Sequence, residues 1–341
     1  MAIGLIAVTK YEVALTRAVA SDPIDAVALR CRRFWFPRGS PADLSDGGFL
    51  RDSESAKSWY TRSPAASFEE LAATPVLVLL GEPGMGKSTA LNKEVQRVES
   101  AASRLLRVDL AGIGTDVLVC ETVFQSEEIS SWRHSNARLN LFLDGLDTCL
   151  QHVKTLVALL RERFEKLPRD RLTLRIACRT ADWPPDLEIA LGALWPAEGD
   201  IGICELAPLR KHDVRVAAES TGIPAAEFLS EVSRLGAAPF ASRPITLKFM
   251  LNTFGRKRQF PSQRPGLYRQ GCLALCDEWR HDRRRSRKFS EGSRFSMASR
   301  LAAVSVFSGR VAICTGAHQD IMHDGDVRND ELLGGSERFE R

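Results

Sequence analysis

Gly81-Glu82-Pro83-Gly84-Met85-Gly86-Lys87-Ser88 has the residue types and the spacing of a phosphate-gripping loop, G-x-x-x-x-G-K-[ST]. In that pattern the glycines let backbone N–H groups ring the phosphates of a nucleoside triphosphate. The Lys reaches the β- and γ-phosphates, and the Ser hydroxyl is a ligand for Mg²⁺. The flanks agree with this chemistry. Val76-Leu77-Val78-Leu79-Leu80 is a short, wholly apolar run that reads as a buried parallel strand. Thr89 to Val98 holds good helix formers and no breaker, so a helix N-terminus faces the phosphates. The alternative is an ordinary glycine-rich turn, and the strand before it and the helix after it argue against that.

Chemistry on a magnesium-bound triphosphate also needs a carboxylate at the end of a strand beside the loop. Leu141-Phe142-Leu143-Asp144 supplies one: the apolar residues bury a strand and Asp144 emerges at its C-terminal end. Open α/β sheets bind ligands at that edge. Gly145-Leu146-Asp147 then puts a second carboxylate three residues on. A strand that merely ends in an Asp-Gly turn is the competing reading. A third element runs from Arg175 to Pro184, where a strand ends in Arg179 and Thr180 on the same edge. An Arg there touches a γ-phosphate and reports its presence; a plain surface Arg is the alternative.

The elements that must position these residues alternate along the chain. Candidate strands run from Arg104 to Leu110, Leu139 to Asp144, Leu172 to Cys178 and Ile201 to Leu206, with helical patterns between them from Val153 to Phe164 and Asp186 to Leu194. Strands separated by helices give an α/β fold with a parallel sheet covered on both faces. From Pro208 helices take over, at His212 to Glu219, Ala225 to Leu235, Pro244 to Phe254 and near Met297 to Phe307. Before the loop, Pro37 to Ser58 is rich in Gly, Ser, Pro and Asp and reads as loop or linker. The tail from His318 to Arg341 is polar.

At 341 residues the chain holds two or three modules, and its net charge of +4 is too mild to imply a nucleic-acid partner by itself. The eight cysteines form no C-x-x-C pair, and Cys272 with Cys276 lacks the further ligands of a zinc site, so reduced intracellular thiols are expected. The apolar start from Met1 to Val8 lacks a basic leader and a cleavage site, and nowhere do eighteen apolar residues run together. The expectation is a cytoplasmic protein with no membrane span. Arg280 to Lys288, preceded by Arg256-Lys257-Arg258, is a strong basic cluster. It reads as a solvated face, with phosphate binding on a nucleic acid as the sharper alternative. Trp132 and Trp183 read as core, with base stacking the alternative for Trp183.

Taken together, the loop at Gly81, the Asp144-Gly145-Leu146-Asp147 strand end and the stretch from Cys178 to Trp183 resemble the STAND class of P-loop NTPases, most of all its NACHT-like bacterial members. Glu205 to Leu209 followed by His212-Asp213-Val214 is similar to that family's passage into a helical lid, and Arg243 to Leu247 to its lid motif. Leu267 to Glu278 also looks like family sequence, so the resemblance spans roughly Arg33 to the C-terminus. It implies a three-layer αβα P-loop NTPase core at 71–207, a helical lid at 208–262 and a partial helical, winged-helix-like region with a tail at 263–341, after a lead-in at 1–70.

The resemblance further implies ATP and Mg²⁺ on Gly81, Glu82, Pro83, Gly84, Met85, Gly86, Lys87 and Ser88, with Thr89 near the α-phosphate. Asp144 would hold the Mg²⁺ water shell and Asp147 would orient or activate water. Arg179 would sense the γ-phosphate, and Pro244 would pack near the adenine. The implied function is a nucleotide-controlled switch in bacterial antiviral defence or signalling, self-associating with ATP and closed with ADP, its effector or sensor being another segment or protein. Two departures matter. Family members continue into a long C-terminal sensor, often of helical repeats, so the expectation is a truncated product, a fragment, or a member whose sensor is another polypeptide. The family's second acidic patch reads Asp-Glu, whereas here it is Asp147-Thr148, and a Thr hydroxyl is no proton acceptor at neutral pH. Hydrolysis is therefore expected to be weakened, and a non-hydrolysing ATP-binding scaffold or a nucleic-acid-dependent ATPase remain as alternatives.

Overall fold

The computed structural model describes residues 31–52, 65–101, 103–277 and 290–308, with the short pairs 313–314 and 327–328. The Arg280 to Lys288 cluster and nearly all of the polar tail lie outside the described residues. The first strand, β1 (Phe34–Pro37), is followed by β2 (Ala66–Ser67), α1 (Phe68–Leu71), β3 (Val76–Leu80), α2 (Lys87–Ser100) and β4 (Arg104–Asp109). Then come α3 (Asp116–Val119), α4 (Glu127–Arg133), β5 (Leu139–Asp144), α5 (Leu146–His152), α6 (Leu156–Glu165), β6 (Leu172–Cys178), α7 (Pro185–Leu194) and β7 (Ile201–Leu206). Only helices follow in the first of two compact units, which ends at Phe260: α8 (Lys211–Ser220), α9 (Ala225–Arg234), α10 (Ala238–Ala241) and α11 (Pro244–Lys257).

One seven-stranded sheet has the order β2-β1-β7-β3-β6-β5-β4. Its five strands from β7 to β4 are parallel. β1 runs antiparallel to β7, and β2 antiparallel to β1. The alternation of side chains along each strand fills two cores at once. Val76, Val78, Leu141, Leu143, Leu174 and Ile176 point into one, under Trp132 of α4, Leu160 of α6 and Leu187 of α7. Leu77, Leu79, Phe142 and Ala177 point into the other, under Leu91 and Val95 of α2. The fold is therefore α/β, a mainly parallel sheet between two helical layers, followed by an all-helical region.

The strands expected after the loop form within one residue of their predicted bounds. The helix predicted from Val153 starts instead at Leu156, because Val153 closes α5 by donating its N–H to Cys149 at 2.8 Å. The segment read as a lead-in departs more. It gives the sheet β1, whose Phe34-Trp35-Phe36 run is apolar yet too short to announce a strand, and the two-residue β2. Trp132 and Trp183 are buried, and the Trp183 indole donates to Glu188 Oε2 at 3.0 Å, so both are core residues.

In the helical region Phe228, Phe254 and Phe260 meet edge-on or tilted, with ring centroids 5.4–5.8 Å apart. The second unit, from Pro261, contains α12 (Arg264–Asp277) and α13 (Glu291–Ser308), with the Arg269 guanidinium 5.6 Å above the Phe295 ring. Among the described residues no helix is long and apolar enough to cross a membrane.

Arg175, in the middle of β6, is 2% exposed and donates to four backbone carbonyls: Ala72 at 2.9 Å, Thr74 at 2.8 Å, Pro75 at 3.4 Å and Leu174 at 3.1 Å. Burial pulls its pKa down to about 10. The guanidinium thus pins the turn that feeds β3. Arg175→Ala strips those carbonyls of their donors in a dry site, and urea unfolding is expected to show a loss of about 3 kcal/mol.

Candidate nucleotide site

β3 delivers the chain to Gly81, and the following loop turns through left-handed residues, Gly84 at φ +74° and Gly86 at φ +87°. A side chain disfavours that region, so the glycines are conformational requirements. Gly86 caps α2, whose first residue is Lys87. The first-turn N–H groups of α2 therefore face the loop, which suits an anion. The Lys87 ammonium folds back over the loop, donating to the carbonyls of Gly81 and of Glu82, the latter at 3.2 Å. Burial lowers its pKa, and the nearby Asp147 and Asp144 charges oppose that. Glu82 and Pro83 are exposed, Met85 is buried against the α2 side of the sheet, and Thr89 is the third residue of α2.

Asp144 ends β5 on the strand edge beside the loop. Its carboxylate accepts the Gly145 N–H at 2.9 Å, and the Ser88 side chain is near enough to favour its charged form. Burial raises the Asp144 pKa, the Asp109 charge adds to this, and those two groups oppose it. The turn after it needs Gly145, at φ +73°, since a Cβ there would stand 2.9 Å from both Ala111 N and Ala111 Cβ. A hydroxyl and a neighbouring carboxylate are hard oxygen donors of the kind that hold Mg²⁺ alongside substrate phosphates, so Ser88 and Asp144 fit the metal. Among the described residues there is no group of three or more His, Cys, Asp or Glu that could hold a metal ion.

Asp147, in the first turn of α5, is buried and takes an ion pair from Arg179 Nε at 2.8 Å, while the Arg179 side chain is 44% exposed. Arg179 follows the last residue of β6 directly, so the strand ends one residue before the Arg rather than on it. The ion pair joins the two residues that the sequence assigned separate roles. From the helical region Ile245 N donates to Gly84 O at 3.4 Å, and a Cβ on Gly84 would lie 2.6 Å from Ile245 Cγ2. Pro244 Cγ and Arg33 Nη1 would each lie 3.6 Å from a Cβ on Gly86.

The structure thus gathers Lys87, Ser88, Asp144, Asp147 and Arg179 at the C-terminal ends of three neighbouring strands, with Pro244 beside the loop. It adds Arg33, which sequence reasoning missed. Nothing in a Cys-Arg-Arg-Phe run marks it, because its proximity to the loop comes only from the pairing of β1 with β7.

No protein-family model and no curated protein sequence matches the chain. Solved structures match at low similarity. With the Aeropyrum pernix ORC2 protein, in ADPNP and ADP complexes, identity is 15% over 71% of this chain and 72% of that one, at a TM-score of 0.35. With the replication initiator DnaA bound to AMPPCP and single-stranded DNA it is 12%, over 69% and 73%, at 0.39. With a Thermotoga maritima RuvB mutant it is 13%, over 70% and 72%, at 0.37. Likeness at this level does not assign an activity or a partner; this chain's own residues have to do that.

The raised Asp144 pKa has a consequence for stability. The folded chain holds that proton more tightly than the unfolded one, so the contribution is present at low pH and is lost as pH rises through the folded pKa. Without magnesium and nucleotide, Asp144→Asn is expected to raise Tm at neutral pH by about 2–4 °C. The same substitution should flatten the fall of Tm as pH rises above the ordinary aspartate pKa, measured by calorimetry from about pH 3 upward.

Proposed function

We propose that this chain binds ATP with Mg²⁺ and uses the nucleotide to control the position of its helical region. The observation that carries the reading is Lys87 folded over its loop, with Asp144 and the Asp147–Arg179 pair beside it on one sheet edge. Lys87 grips the β- and γ-phosphates and the first turn of α2, with Thr89, faces the α-phosphate. Ser88, and Asp144 through water, would hold the Mg²⁺, which when bound neutralises phosphate charge.

Arg179 is exposed enough to swing from Asp147 to a γ-phosphate, and Asp147 is then free to accept a proton. In hydrolysis a water oxygen bonds to the γ-phosphorus, the bridging bond to the β-phosphate breaks, and the water's proton passes to Asp147. ADP and phosphate are the products. Pro244 and Ile245, packed on Gly86 and Gly84, tie the helical region to the same loop. The resemblance to NACHT-like STAND proteins supports a switch in bacterial defence or signalling, closed with ADP and self-associating with ATP.

A second reading, a non-hydrolysing ATP-binding scaffold, is favoured by Asp147 being engaged by Arg179 and followed by Thr148. ATP binding and phosphate release measured on one purified sample separate the two. Lys87→Ala is expected to weaken ATP binding by roughly a hundredfold; unchanged binding would sink the site. Thr148→Glu is expected to raise turnover about tenfold or more if a missing base limits an otherwise working ATPase. A chain that binds ATP and releases no phosphate, with or without that substitution, is the scaffold.

A further inference from the structure

We propose that Arg33 is a second nucleotide-gripping cation, which contacts the α-phosphate beside Gly86; this rests on the reading that the loop holds a nucleotide. Arg33 enters β1, and its Nη2 donates to the carbonyl of Ala207, the residue after β7, at 2.7 Å. Its Nη1 lies 3.6 Å from where a Cβ on Gly86 would stand, as does Pro244 Cγ. The guanidinium and the proline therefore flank the last loop residue before α2, where the α-phosphate passes a helix N-terminus.

Three observations point to an anionic ligand. Among the described residues no carboxylate forms an ion pair with Arg33, although burial pulls its pKa down to about 10. The nearest acid, Asp213, is already held by Arg210 through bonds of 2.9 and 3.1 Å. Arg33 is half-buried, and a guanidinium with one backbone carbonyl as its hydrogen-bond partner keeps donors for an anion. Finally, Nη2 is the one Arg33 nitrogen with a hydrogen bond among the described residues, which leaves Nη1, beside Gly86, for a further acceptor.

The position also has a mechanical meaning. Arg33 belongs to an extended segment held to α2 by Lys93 Nζ on Cys31 O at 2.9 Å, and to the helical region by the Arg210–Asp52 ion pair at 2.9 Å. An α-phosphate is common to ATP and ADP, so Arg33 registers that the site is filled, while Arg179 registers which nucleotide fills it.

The test is the affinity of the full chain for Mg-ATP and Mg-ADP, and for ATP carrying sulfur on the α-phosphorus, in the parent, Arg33→Gln, Arg33→Lys and Lys87→Ala. Arg33→Gln should weaken ATP and ADP equally, by roughly ten- to a hundredfold. It should also abolish the parent's preference between the two α-thio diastereomers, a readout that a merely structural role would not move. Arg33→Lys keeps the charge and loses the planar fork, so a smaller but still equal loss is expected, and this variant decides the matter if Arg33→Gln melts early. Parental affinity in both Arg33 variants, a loss confined to ATP, or an undiminished α-thio preference would overturn the proposal while Lys87→Ala still upholds the nucleotide reading. A parent that binds neither nucleotide removes both.

Discussion

The structure depends on the complete burial of β3. Each of its five residues is 0% exposed, because β7 and β6 pair with its two edges and helices cover its two faces. A strand held on four sides leaves its C-terminal end as a fixed point. The phosphate loop hangs from that point, so the N–H groups that would ring an anion start from a rigid base. Arg175 secures the other end of the same strand by collecting the carbonyls of the incoming turn. A site that must hold its donors to a fraction of an ångström benefits from such a base.

Electrostatics then sort the site into zones. Burial works against the charged form of both Lys87 and Asp144, which lowers one pKa and raises the other. Neither group is fully neutralised by a direct ion pair, and a bound magnesium phosphate would satisfy both. Asp147 and Arg179 solve the same problem differently, by pairing with each other. Arg33 occupies a third zone, in contact with the start of the helical region through Ala207.

The helical region is fastened to the sheet at several places near that loop. Arg210 reaches Asp52 at 2.9 Å and lies over the Phe34 ring, Pro244 and Ile245 lean on Gly86 and Gly84, and Ala238 faces Gly48. Within the region Phe228, Phe254 and Phe260 pack on one another.

The sequence by itself determined the loop, the strand before it, the helix after it and the carboxylates at Asp144 and Asp147. Each of those features is local: glycine freedom, strand and helix period, and a charge placed at the end of an apolar run. It also determined the α/β class, because buried parallel strands read as continuous apolar runs. Only the tertiary structure decided that Arg179 holds Asp147, that Ser88 comes near Asp144, and that Pro244 and Arg33 converge on Gly86. Those contacts join residues far apart in the chain, and no local period or propensity encodes them. Strand order fixes them, and strand order comes from how buried faces pack. The contribution of the lead-in segment was hidden for the same reason, since four residues of β1 become a strand only where β7 offers them an edge.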